Sequence, residues 1–275
     1  MDEATGSIGT YKIVRRLAGA GADLFLVRSA AGARRVLQMV EADDPDALDE
    51  ARQQLAVAAT LEHAAIDRPV DVFDHEGKLV IAYDEFDGLT LAEVLEELVD
   101  HGRSVPPQAV WYLAYQIFGA LARAHSATDA NGDFVALCHG HLAPAHVLVG
   151  PQGELRIRGF GLAPVVGAVG TRGVALTPGY AAPEQKGAAR VTPRGDVYSA
   201  AAIVWALGAA QRPADDGGKL PVSALVPAPP PQLAQALDTA LELALPKRKV
   251  TSIEIEQHFE ALVSASGRTA LKEAV

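Results

Sequence analysis

In the first ninety residues, apolar and polar positions gather into short β-prone runs, the signature of strands. Tyr11–Leu17 and residues 24–28 and 35–40 are such runs, separated by Gly and Ala turns. Residues 45–60 are rich in Ala, Leu and Gln and predict a helix. Strand patterning returns at 70–73 and 79–83. It is followed by Asp84-Glu85-Phe86-Asp87-Gly88, a polar stretch ending in glycine that predicts a hinge. Beyond it the period becomes helical. Thr90-Leu91-Ala92-Glu93 has the capping-box pattern, and Leu91, Val94, Leu95 and Leu98 follow on one face. Residues 108–125 predict a longer helix with Leu113, Ile117, Leu121 and Ala124 along one side. Asn131-Gly132 marks a tight turn. Leu155 and Ile157 alternate with Arg156 and Arg158 as in a short strand. Thr251-Ser252-Ile253-Glu254 caps a last helix with Ile255, Phe259, Leu262 and Val263 inward. The pattern predicts an α+β chain with a small β-rich lobe, a hinge and a larger helical lobe.

The chain has 275 residues, 49% of them hydrophobic, which is enough to build a core and argues against disorder. A net charge of -10 disfavours a nucleic-acid role. The one local basic cluster, Lys247-Arg248-Lys249, reads as a solvated helix entry. A single cysteine, Cys138, rules out an internal disulfide. The apolar run at 200–210 is too short to span a bilayer, and residues 1–9 are too polar for a signal peptide. These features lead us to expect a cytoplasmic protein with no membrane contact in this chain.

Several motifs make the architecture specific. Ala124-His125 precedes the run Cys138-His139-Gly140-His141-Leu142-Ala143-Pro144-Ala145-His146-Val147-Leu148-Val149. Arg158-Gly159-Phe160-Gly161-Leu162-Ala163 follows, then Thr177-Pro178-Gly179-Tyr180-Ala181-Ala182-Pro183-Glu184-Gln185, then Asp196-Val197-Tyr198-Ser199. In order and spacing these resemble the signature set of bacterial eukaryotic-type serine/threonine protein kinases, over roughly residues 10–263. The resemblance implies a bilobal kinase-like fold with an N-terminal tail at 1–9, an N-lobe at 10–86, a C-lobe at 87–265 and a C-terminal tail at 266–275. It implies fold-supporting roles for His139, Phe160 and Asp196, and a Glu184 pairing with an arginine, for which Arg248 is the candidate.

The resemblance also implies what has been replaced. Phosphoryl transfer needs positioned phosphates, metal charge and an oriented hydroxyl. The strand lysine of the family falls at Gln38 and its helix glutamate at Gln54, with Glu50 one turn earlier. The catalytic aspartate falls at His141, the catalytic-loop lysine at Ala143, and the two metal ligands at His146 and Gly159. Magnesium takes oxygen ligands, which neither imidazole nor glycine supplies. Loss of a general base alone costs about two to four orders of magnitude in rate. The glycine loop at 18–22 is one residue short, and the catalytic-loop arginine is Gly140. Leu24 and Val36 are larger than the family's roof residues and narrow the nucleotide pocket, Tyr83 lies at its back and Leu148 is its floor.

The expectation is therefore a degenerate member, a pseudokinase that is not an enzyme, needs no cofactor, and acts as a signalling scaffold or allosteric regulator. Its partner would be a protein, an active kinase or another signalling protein. One alternative is a nucleotide-dependent transferase of altered chemistry in the same cleft. Another is a transition-metal site on His141 and His146, since imidazole suits zinc, copper or nickel. No third cleft ligand can be named from the sequence: His139 reads as structural and Cys138 as core-facing. The prolines 227 and 229–231 read as a connection between two helices.

Overall fold

The computed structural model describes residues 6–17, 23–166, 175–187, 191–214, 218, 220–225, 228–260, 262–263 and 265–274. The glycine loop at 18–22 and Pro227 lie outside the described residues. An antiparallel sheet comes first, from β1 (Ser7–Ile8), β2 (Tyr11–Leu17), β3 (Asp23–Arg28), β4 (Arg34–Val40), β5 (Asp71–His75) and β6 (Lys78–Asp84). Its order is β1-β2-β3-β4-β6-β5. Alternation sorts the side chains. Tyr11, Val27, Leu37, Val80 and Ala82 form an outer cluster, while Val40, Leu79, Ile81 and Tyr83 face inward. Leu24 pairs with Gln38 and Leu26 with Val36, so these four share the inward face.

Helix α1 (Pro45–Thr60) crosses the inner face between β4 and β5. Asp44 caps it by accepting from the Asp46 amide, and a proline opens it. Ala51, Leu55 and Ala58, at helical spacing, are fully buried. Leu55 packs with Ile81, Tyr83, Leu162 and Val165, tying α1 to both the sheet and the segment after Gly161. Gly161 itself lies at φ +94°, and a Cβ there would meet the Leu55 backbone at 2.9 Å. Only glycine fits that contact.

After residues 85–88 the chain enters a helical body. A small sheet of β7 (Leu89–Thr90), β8 (Val147–Val149) and β9 (Leu155–Ile157) lines its top. Helix α2 (Leu91–Asp100) begins at Thr90, which forms the reciprocal capping box with Glu93. Helices α3 (Pro107–His125) and α4 (Pro193–Ala209) are its central pair; α4 is buried continuously from Gly195 to Leu207. A helix apolar on all sides must be enclosed, and α3, α5 (Pro231–Ala240) and the turn at 222–224 enclose this one. Helices α6 (Ser252–Glu260) and α7 (Ala265–Ala274) pack on α3.

Two expectations about the ends need revision. Part of the expected N-terminal tail forms β1, which pairs with β2. The expected C-terminal tail is helix α7: Leu271 is buried, and Gly267 approaches Gln108 and Tyr112 too closely for a side chain. Among the described residues, no helix is long and apolar enough to cross a membrane.

Candidate functional site

The segment from Cys138 to Val149 sits between the two lobes and is held from below by Asp196 near the start of α4. Thr192 caps that helix by accepting from the Gly195 amide. The buried Asp196 carboxylate accepts from the amides of His139 at 2.7 Å and Gly140 at 2.8 Å, and bonds His125 Nε2 at 2.9 Å. His125 Nδ1 continues to Ser252 Oγ at the start of α6. Gln185 accepts from the Ala182 amide and donates to the Gly140 carbonyl. Gly140 is at φ +82°, and a Cβ there would press on Ala163 and Val191. The position expected to hold an arginine in the resembled family thus requires glycine here.

A second anchor lies nearby. Arg248, fully buried, donates to Glu184 at 2.7 Å, to the Glu242 carbonyl at 2.8 Å and to the Arg194 carbonyl at 3.1 Å, and it stacks over Tyr198. The expectation of a solvated basic cluster therefore fails for Arg248 and describes only its exposed neighbours Lys247 and Lys249. A guanidinium with this many fixed acceptors gains more from burial than from water.

The upper side of the same segment is different. His139, His141 and His146 stand against one another, with ring centroids 4.5 Å apart for His139 and His141, 4.5 Å for His141 and His146, and 5.6 Å for His139 and His146. Phe160 meets His139 edge-on at 5.0 Å. His139 Nε2 bonds the Arg158 carbonyl and His141 Nδ1 bonds the His139 carbonyl, each at 3.0 Å. His139 Nδ1, His141 Nε2 and His146 Nδ1 are buried without a partner. Burial holds all three imidazoles below the usual histidine range: His141 well below, further lowered by its neighbouring rings, and His146 down to about 3. The cluster is neutral at physiological pH.

Gly159 explains how the rings fit. It lies at φ +106°, and a Cβ there would stand 3.0 Å from His141 Nε2 and 3.5 Å from His139 Cε1. The His141 ring occupies the space into which a side chain at 159 would project. Ala143, fully buried, opens the short turn Pro144–His146 that presents His146.

On the sheet side, Gln38 is buried and its Oε1 has no partner. Gln54 donates to Glu50 at 3.1 Å, leaving its own oxygen buried and unpaired. Val36 and Tyr83 are buried, whereas Leu24 and Leu148 are half-buried. Tyr83 carries a hydroxyl without a partner, and burial raises its pKa. Sequence reasoning passed over the pair that closes this corner. Arg158 Nε donates to Asp67 at 2.8 Å, and its guanidinium lies 4.8 Å over the Tyr83 ring. Burial pushes the Asp67 carboxyl up while Arg158 holds it down. Cys138, read as core-facing, is half-buried, with its thiol on the Ala136 carbonyl.

Comparisons with known proteins agree with this architecture. The protein kinase domain model matches residues 24–227. Serine/threonine-protein kinase PknL of Mycobacterium tuberculosis is 31% identical over 194 residues, 68% of this chain and 44% of that one. Probable serine/threonine-protein kinase SCO3848 of Streptomyces coelicolor is 29% identical over 175 residues, 60% of this chain and 24% of that one. The chain thus spans less than half the length of these curated relatives. The crystal structure of the Mycobacterium tuberculosis PknI kinase domain superposes with a TM-score of 0.71 at 26% identity, covering 95% of this chain and 99% of that one. The expectation that the chain is not an enzyme is overturned here, because the matching family and the relatives' names point to an enzyme. That expectation rested on single positions, which describe how a cleft is built and not what the family does. With its two-lobed fold, its motif order and a domain match over most of its length, the chain belongs to the protein kinase family.

Proposed function

We propose that this chain is a signalling member of the serine/threonine protein kinase family that works through contact with a protein partner, an active kinase or another signalling protein, as a scaffold or allosteric regulator. One observation carries the reading. The frame under the central segment is fully bonded through Asp196, Gln185 and Arg248, while above it, among the described residues, Gln38, His141 and His146 leave polar atoms unpartnered and the Arg158 charge is paired with Asp67. Under this reading Gln38, Gln54, His141, Ala143, His146 and Gly159 stand where the family keeps its phosphate-binding, catalytic and metal-binding groups. Leu24, Val36, Tyr83 and Leu148 outline the nucleotide pocket. We place the protein in the cytoplasm, and its net charge of -10 opposes nucleic acid as a partner.

A second reading, nucleotide-dependent transfer by altered chemistry in the same cleft, is favoured by family membership. One experiment separates the two. The purified chain is mixed with the catalytic domain of a serine/threonine kinase from the same organism, and binding and the partner's rate are followed with labelled ATP. Saturable binding with a changed partner rate supports the first reading. Transfer of label by this chain alone, lost on His141→Phe, supports the second, and absence of saturable binding or of any change in the partner's rate would overturn the first.

A further inference from the structure

His139, His141 and His146 share one feature. His139 and His141 each bond a backbone carbonyl through one nitrogen, and each of the three rings has one nitrogen, His139 Nδ1, His141 Nε2 and His146 Nδ1, buried without a partner. A neutral imidazole that donates its proton to a carbonyl has a bare lone pair on the opposite nitrogen. The bonded nitrogen therefore fixes the tautomer of His139 and His141, which leaves lone pairs on His139 Nδ1 and His141 Nε2, and His146 adds an unpartnered Nδ1 beside them. This is how metal-binding histidines are set up, with the second nitrogen held by a carbonyl behind it.

We propose that these three imidazoles bind one divalent transition-metal ion of the zinc class, beside Gly159. The ring spacing suits one ion. A metal bonds imidazole at about 2.0–2.1 Å, which puts the centroids of rings sharing a tetrahedral ion about 5 Å apart. The observed centroid separations run from 4.5 to 5.6 Å. The interplanar angles of 48°, 52° and 76° are those of rings turned about a shared centre, not of a parallel stack. With no side chain at Gly159, the free Nε2 of His141 and the His139 ring edge both face the backbone there, 3.0 and 3.5 Å from where a Cβ would stand.

As the rings stand, their free nitrogens are not yet gathered at ligand spacing. Among the described residues only His125, Cys138 and Asp196 bring donor atoms that close. That second group has other work: the Asp196 carboxylate already accepts from two amides and bonds His125. Metal binding must draw the three free nitrogens together, and the ion bonds gained must exceed the loosening of the Arg158 and His139 carbonyl bonds. Nitrogen ligands select against magnesium and for zinc, cobalt, nickel or copper.

The test is a titration of chelator-stripped protein with Co²⁺, followed by visible absorbance, and with Zn²⁺, followed by metal analysis after dialysis. We expect one equivalent retained. His141→Phe and His146→Phe keep ring volume without a ligand nitrogen, and each is expected to weaken binding by at least the roughly 10–100-fold that follows loss of a second-shell partner. Cys138→Ser and His101→Ala are expected to bind as the parent does. Imidazole ¹⁵N shifts of the parent protein give the same answer without any variant: three rings should shift on zinc. No stoichiometric binding, unshifted rings, or binding lost in Cys138→Ser and kept in both Phe variants would overturn the proposal. A site filled by water alone gives the first of these results.

Discussion

The segment around residues 138–149 has two faces built on opposite principles. On the face toward α4, every polar group we can follow is answered: Asp196 by two amides and His125, Gln185 by Ala182 and Gly140, Arg248 by three acceptors. On the face toward the sheet, three ring nitrogens, two glutamine oxygens and the Tyr83 hydroxyl are buried unanswered. Buried polar groups without partners cost about 1–3 kcal/mol each. The contrast separates what holds the fold from what is available to a ligand. The frame should therefore be intolerant of change, and the cleft should respond to pH, metal and substitution.

The largest effect is expected at the frame. Arg248→Ala removes a fully buried guanidinium and leaves Glu184 and two carbonyls without their donor. Breaking such a buried pair costs about 3–5 kcal/mol. Urea unfolding should show that loss, and Arg248→Lys should recover only part of it, because an ammonium cannot span the same acceptors. A loss below about 1 kcal/mol would place the frame elsewhere.

Acid should act on the other face. His141 and His146 are held neutral by burial, with His146 lowered to about 3. The unfolded chain titrates near 6.5, so below that pH it binds protons that the folded cluster refuses. Stability contributed by the neutral rings is present above about pH 6.5 and falls as pH drops toward 3, by at most about 1.4 kcal/mol per pH unit for each histidine. Unfolding measured from pH 7 to 4.5 should show this slope. His146→Phe should reduce it, and an unchanged slope would mean that the cluster already carries charge or is hydrated.

The two faces meet at Gly159. Gly159→Ala forces a side chain to φ +106° and brings it to 3.0 Å from His141 Nε2. Backbone strain of this kind costs about 1–3 kcal/mol. Removing the opposing ring with His141→Ala relieves the clash but not the backbone conformation. The double-mutant cycle should therefore give a coupling of about 0.5–1.5 kcal/mol, less than the full penalty. Strict additivity would mean that the ring does not fill this space.

The elements were legible because their signals are local. A β-prone run placed Tyr11–Leu17, and a stretch rich in Ala, Leu and Gln placed Pro45–Thr60. The chemistry was legible only in part. Adjacent histidines at 139, 141 and 146 can be read from the chain, but which nitrogen each leaves free depends on carbonyls such as that of Arg158. The Arg158–Asp67 pair joins residues 91 positions apart, and no periodicity announces it. Helix α7 was missed because its short apolar face makes sense only against Tyr112 and Gln108 of α3. The inference of no enzymatic role failed for a different reason, since it argued from substituted positions to the activity of a whole family.

The smallest effect should come from a site belonging to neither face. Thr90 accepts from the Glu93 amide at 3.2 Å, and Glu93 returns to the Thr90 amide at 2.7 Å. Both residues are near the surface at the start of α2, immediately after the residues 85–88 that join the lobes. Thr90→Ala removes one side of the box and should cost about 1 kcal/mol, the usual worth of an N-cap. The capping bonds are made within one turn of helix, so the loss should appear in urea unfolding and nowhere else. Cobalt absorbance and the acid slope should match the parent, because the lost capping bonds lie at the start of α2, while α2 packs on the turn Pro144–His146 and on β8. If Thr90→Ala shifts either of them, the cleft is coupled to the lobe junction, and the division between frame and cleft must be redrawn to include α2.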